Sequence, residues 1–162
     1  MKKIACLLYP NFSLYEIAPL TSALVLNFGR KIDFIASTTE TIYSEDGLPC
    51  HANKILEEVN IEEYDCILCP GTIDFTPAVR DECLIRFLAG LDGKSIKIAA
   101  ISSAPILLAK AGLLKQTLYT GGIWQNFIDY FDFLPRENFR PLPVCEDGNI
   151  ITGTGFTVNA FS

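Results

Sequence analysis

Short apolar runs alternate along this chain with longer segments whose apolar positions recur at helical spacing. Ile4-Ala5-Cys6-Leu7-Leu8 predicts a strand over residues 3–9. Ser13, with Glu16 three residues later, has the spacing of a capping box and opens a helix over 14–28 that Gly29-Arg30 closes. Pro19 falls early enough to be tolerated in that helix or to kink it. A second strand covers 31–36, and a short one covers 41–44 with Glu45-Asp46-Gly47 as its turn. A single helical turn is expected at 55–59. The next strand, 65–69, is broken sharply by Pro70-Gly71-Thr72. Residues 81–91 are amphipathic, with Leu84, Ile85, Phe87 and Leu88 inward.

Ile98-Ala99-Ala100-Ile101 is continuous and apolar, as in a strand covered on both faces. Pro105 then suits a first helical turn, and Gly112 ends the helical pattern that follows. A strand at 118–120, a Gly121-Gly122 turn and an aromatic helix over 124–133 come next, with Trp124, Phe127, Ile128 and Phe131 read as core. Residues 141–145 and 149–152 flank Glu146-Asp147-Gly148, a hairpin signal. The alternation predicts one α/β domain over 1–162. It has a mostly parallel sheet between helices, and small hairpins at an edge.

Net charge changes the list of partners. The chain carries −6 overall and no basic stripe, which argues against nucleic acid. No apolar segment is long enough to span a membrane, and the run after Lys2-Lys3 is cut short by Pro10-Asn11, so it reads as a strand rather than a leader. Cys66 and Cys69 form a C-x-x-C, but inside a strand their sulfurs point to opposite faces, and no second ligand pair stands at zinc spacing. We expect no metal and no cofactor. The Cys66-Cys69 pair reads as small buried hydrophobes, and a reducing compartment with no leader suggests the cytoplasm.

The candidate chemistry lies at Ser102-Ser103, between the apolar strand and the Pro105 helix. Serines there are ordinary helix caps. The same place, at the carboxyl end of a sheet strand, is also where a nucleophile elbow sits. Glu16 likewise has two readings, capping-box acid or site residue. His51 reads as a hairpin surface residue, and the Glu57-Glu58 and Glu62-Glu63 pairs as solvated faces. Gly153-Thr154-Gly155 lacks the Lys-Ser/Thr ending of a phosphate loop.

Five segments in order resemble the ThiJ/PfpI family, whose members include glyoxalase/deglycase proteins, PfpI-type peptidases and isocyanide hydratases. They are Leu7-Leu8-Tyr9-Pro10 with Glu16, Tyr64-Asp65-Cys66-Ile67-Leu68-Cys69-Pro70-Gly71, Ile98 to Pro105, Ala109 to Leu114, and Asp147 to Gly155. The resemblance implies a flavodoxin-like fold within the glutamine amidotransferase-like superfamily, and a homodimer. It implies a nucleophilic cysteine where this chain has Ser102, and an acid matched by Glu16. It implies a second oxyanion-pocket glycine where Thr72 follows Gly71, and a histidine where Gly122 or Gly121 stands. It further implies a long helix after Gly155. With the chain stopping at Ser162, one sheet face or a dimer surface is expected to be less covered.

These differences bear on mechanism. A cysteine ionises near pH 8.5, and lower at a helix N-terminus; a serine needs a positioned base. We therefore expect an altered site built from Glu16, Gly71, Thr72, Ser102 and Ser103. It would make a weakly catalytic or non-catalytic protein that binds a small molecule or aldehyde or serves a stress-related role. The alternative is a glyoxalase-, deglycase-, hydratase- or hydrolase-like enzyme using Ser102 with Glu16 as base. A third class, an interaction protein, would use the aromatics of 124–133 as a surface.

Overall fold

A computed structural model describes residues 1–123 and 125–155. Among these residues, nine strands and five α-helices follow in order: β1 Lys3–Leu7, α1 Leu14–Leu26, β2 Ile32–Ala36, β3 Ile42–Tyr43, β4 Pro49–Cys50, β5 Lys54–Ile55, β6 Tyr64–Cys69, α2 Thr76–Arg80, α3 Glu82–Ala89, β7 Lys97–Ile101, α4 Pro105–Lys110, α5 Gln125–Tyr130, β8 Val144–Asp147 and β9 Ile150–Gly153. The main sheet has the order β5-β2-β1-β6-β7-β9-β8 and is parallel except for β8 against β9. This is the expected α/β, flavodoxin-like arrangement.

The central strands β1, β6 and β7 are apolar because helices cover them. Ile4 to Leu7, Ile67, Leu68 and Ile98 are all buried. The two faces differ. Ile98 and Ala100 are buried, whereas Ala99, Ile101, Ile151 and Gly153, which line a cleft with Glu16, Ile17 and Leu20 of α1, are half-buried. Parallel pairing aligns the carboxyl ends of β1, β6, β7 and β9 along one edge, with Leu68 opposite Ala99 and Ile101 opposite Gly153. The connections leaving those ends carry the site.

Four expectations change. Residues 118–120 form no strand; Tyr119 makes only an isolated bridge to Phe139. Residues 76–80 form α2, which the sequence pattern did not announce because its one turn is too short for periodicity. The hairpin at Gly148 is not mere edge decoration, since β9 inserts beside β7 in the main sheet. The capping box is also absent. Ser13 sits at the N-cap of α1 without a side-chain cap bond and donates instead to Glu45, 2.8 Å away. The aromatic helix is α5; Trp124 lies outside the described residues.

At the opposite end of the sheet, Asp33 joins four strands. It accepts from Lys3 at 3.1 Å and from the Tyr64 hydroxyl at 2.7 Å, with Lys54 at 3.8 Å. Burial pushes its carboxyl up, but Tyr64 and Lys3 overcome this and hold it below its usual range. A depressed carboxyl adds stability above its unfolded value and loses it as pH falls through the folded one. With partly exposed lysines, Asp33→Asn should cost roughly 1 kcal/mol at pH 7. That cost should shrink below about pH 4, as read by urea unfolding across the range.

Candidate functional site

Ser102 follows β7 with φ +60°, a left-handed backbone that side chains other than glycine's rarely adopt. The chain turns there from strand to α4, so the hydroxyl is held out at the carboxyl edge of the sheet, as in a nucleophile elbow. The turn is locked on both sides: Ser102 N–H donates to Gly153 O at 2.8 Å, and Ser102 O accepts from Gly122 N–H at 2.8 Å. Such strain, which costs roughly 1–3 kcal/mol, persists where surroundings over-determine it.

Glu16 comes to the same point from the first turn of α1. Its Oε2 accepts the Gly71 N–H at 2.7 Å. Burial pushes the carboxyl up from its usual range, while the Gly71 N–H and the Ser102 hydroxyl pull it partly back, and the nearby Glu45 charge pushes it up again. Glu16 thus faces Gly71 and Ser102, and its capping-box reading is replaced.

Backbone packs tightly round these two side chains. A Cβ at Gly71 would fall 2.6 Å from Glu16 Oε2 and 2.8 Å from Ser102 Cβ. A Cβ at Gly155, which has φ +77°, would fall 2.8 Å from Ser102 Cβ and 3.2 Å from Glu16 Oε1. At Gly122 it would meet Thr154 O at 2.5 Å and Ser102 Oγ at 3.1 Å. That is the place where the resemblance leads to a histidine, and no imidazole fits there on this backbone. The chain's one histidine, His51, is exposed and lies 3.3 Å from Thr41 Oγ1, near the β3–β4 hairpin.

Ser103 and Thr72 are brought close to Ser102 but are engaged with each other. Ser103 Oγ accepts the Thr72 N–H at 2.9 Å and donates to Thr72 O at 2.9 Å. The Thr72 hydroxyl donates to Asp74 O at 3.0 Å. Both amides of the Gly71-Thr72 turn are thus engaged inside the protein. The Ser103 N–H takes no acceptor among the described residues and follows the elbow residue directly, which is a usual oxyanion position.

No described thiol takes over from Ser102. Burial pushes Cys6 up to about 12 and Cys66 up to about 11, so both stay protonated at neutral pH. All six cysteines are free, and no described cluster of acids, thiols or imidazole could hold a metal. Sequence reasoning did not foresee Gly155, Tyr9, Ser13 or Glu45 as parts of the site. Tyr9 and Gly155 stood out only as parts of the resembling segments, Ser13 as a cap and Glu45 as a turn residue.

With strand order, elbow and acid in place, the relatives are decisive. A model of the DJ-1/PfpI family matches residues 2–161. The chain belongs to the DJ-1/PfpI family. Solved structures with this fold include DJ-1 superfamily protein Atu0886 from Agrobacterium tumefaciens (TM-score 0.83, 21% identity, 95% of this chain and 82% of that one). Another is a cysteine-to-alanine mutant of STM1931 from Salmonella typhimurium (TM-score 0.75, 27% identity, 96% and 82%). Among curated proteins, the uncharacterized protease YdeA of Bacillus subtilis is 35% identical over 72 residues, 44% of this chain and 36% of that protein. The uncharacterized protein MG029 of Mycoplasma genitalium is 25% identical over 124 residues, 74% of this chain and 65% of that protein. The matched regions thus span less than two thirds of either curated relative.

Two outcomes follow from the family site's geometry. Ser102→Gly should be more stable than Ser102→Ala by roughly 1 kcal/mol, because only the second keeps a side chain at positive φ; denaturant unfolding measures the difference. Glu16→Gln should stabilise the fold at pH 8. A carboxyl raised by burial penalises the folded state above its folded value, and the penalty vanishes once both states are protonated, below about pH 4. Thermal unfolding at both pH values checks the sign.

Proposed function

We propose that this is a cytoplasmic, stress-related member of the DJ-1/PfpI family. In this reading it holds a small neutral carbonyl compound over Ser102 and Glu16 and turns it over weakly or not at all. The observation that carries this is the pairing itself: a serine hydroxyl faces one half-buried carboxylate, with no imidazole beside them. A serine hydroxyl ionises far above neutral pH and needs a strong, aligned base. A single carboxylate is a weak base for that proton, even with its affinity raised. What the pair does well is bind. Ser102 both donates and accepts, and Glu16, when protonated, donates to a carbonyl oxygen. The Ser103 N–H, which takes no acceptor among the described residues, adds a further donor. The carboxylates of Glu16 and Glu45 disfavour an anionic ligand. Six free thiols accord with the cytoplasm. A homodimer is part of the proposal, and Tyr15, Leu20, Val25, Leu26 and Phe28, on and just after α1, are exposed apolar side chains available to it.

A second reading, a glyoxalase-, deglycase-, hydratase- or hydrolase-like enzyme with Ser102 as nucleophile and Glu16 as base, is favoured by the strained elbow and by a Ser103 N–H without an acceptor among the described residues. Methylglyoxal consumption by the protein, by Ser102→Ala and by Ser102→Cys separates the two. The binding reading expects the first two to be equally low in activity and the third to gain it. Turnover by the unaltered protein that Ser102→Ala abolishes would establish the second reading instead.

A further inference from the structure

The Pro70-Gly71-Thr72 turn is pinned at every backbone group for which a partner exists. The Tyr9 hydroxyl donates to Pro70 O, and Ser13 N–H donates to Gly71 O at 2.8 Å. Ser103 Oγ accepts from Thr72 N–H and donates to Thr72 O, both at 2.9 Å. That leaves the Gly71 N–H as the one donor of the turn directed at a titrating side chain, Glu16. We propose that Ser103 is a positioning residue: its hydroxyl grips Thr72 at both backbone groups and so aims the Gly71 N–H at the Glu16 carboxylate.

The argument is one of hydrogen-bond accounting. Ser103 is 9% exposed and Thr72 6% exposed, so neither can readily exchange its partner for bulk water. Removing the hydroxyl would leave a buried N–H and a buried C=O unpaired, and the turn would move to satisfy them. Gly71 has no side chain to resist that movement. The groups that face Glu16 are Ser102 from the elbow, Tyr15 beside it on α1, Glu45 from the β3–β4 turn, and Tyr9 and Cys69 from the ends of β1 and β6. None is a cation, so a lost Gly71 contact has no neighbouring positive charge to mask it. The same hydroxyl also fixes which way the elbow's second serine points, away from ligand duty and into the scaffold. This rests on Glu16 being the group that meets the ligand, but not on any turnover.

The test uses the full chain, labelled with ¹³C and ¹⁵N, and reads the Glu16 carboxyl titration and the Gly71 amide. In Ser103→Ala the Glu16 midpoint should rise and Gly71 amide exchange should quicken by roughly tenfold, the scale of one lost hydrogen bond. Ser103→Thr, which keeps the hydroxyl, should restore both. A folded Ser103→Ala with an unchanged midpoint and amide would overturn the proposal, as would Ser103→Thr moving as far as the alanine variant. In the unaltered protein the Gly71 amide shift should follow the Glu16 titration, and a Gly71 amide blind to it would overturn the proposal whether or not the variants fold. These readouts need no ligand, so failure of the carbonyl-binding reading would leave them standing, and the reverse also holds.

Discussion

A half-buried carboxylate must find donors, and in this protein that requirement organises the functional edge of the sheet. Glu16 accepts from Gly71 at 2.7 Å and faces the Ser102 hydroxyl. Meeting both partners at once fixes where α1 begins, where β6 ends and how the chain leaves β7. Each neighbouring segment then fits around that contact. Tyr9, Ser13 and Ser103 hold the turn that carries Gly71, and Gly155 closes over the pair where no side chain would fit. Sequence, packing and chemistry meet here because backbone amides are the only donors that can come so close without adding bulk.

The arrangement costs stability locally. Ser102 holds a left-handed backbone, Glu16 resists its own charge, and glycines replace better-ordered residues around them. The opposite end of the sheet works the other way, with Asp33 paired and hydrogen-bonded across β1, β2, β5 and β6. Strain at one edge and charge pairing at the other is the division expected of a scaffold that keeps a functional site poised.

Much of the fold was legible because β1, β6 and β7 lie at the centre of the sheet, and burial there writes continuous apolar runs. The elbow was legible from Ser102, Ser103 and Pro105, since Pro105 marks the helix start and the serines have no place in a buried strand. Glu16 was ambiguous because its spacing from Ser13 suits a cap equally well; only the fold brings Gly71 to it across 55 residues of chain. Gly155 and Tyr9 were illegible as site residues for the same reason. Their roles are contacts between segments, and local periodicity carries no trace of them. Residues 118–120 misled because Tyr119 is fully buried, as a strand residue would be, yet it packs against Phe139 outside the sheet.

The central claim is that Glu16 and Ser102 form one coupled polar unit. The most direct measurement is the ¹³C titration of the Glu16 carboxyl in the unaltered protein and in Ser102→Ala. The account predicts a midpoint above that of a free glutamate, rising further when the Ser102 hydroxyl is removed. A midpoint at or below the free value, or one indifferent to Ser102→Ala, would contradict it.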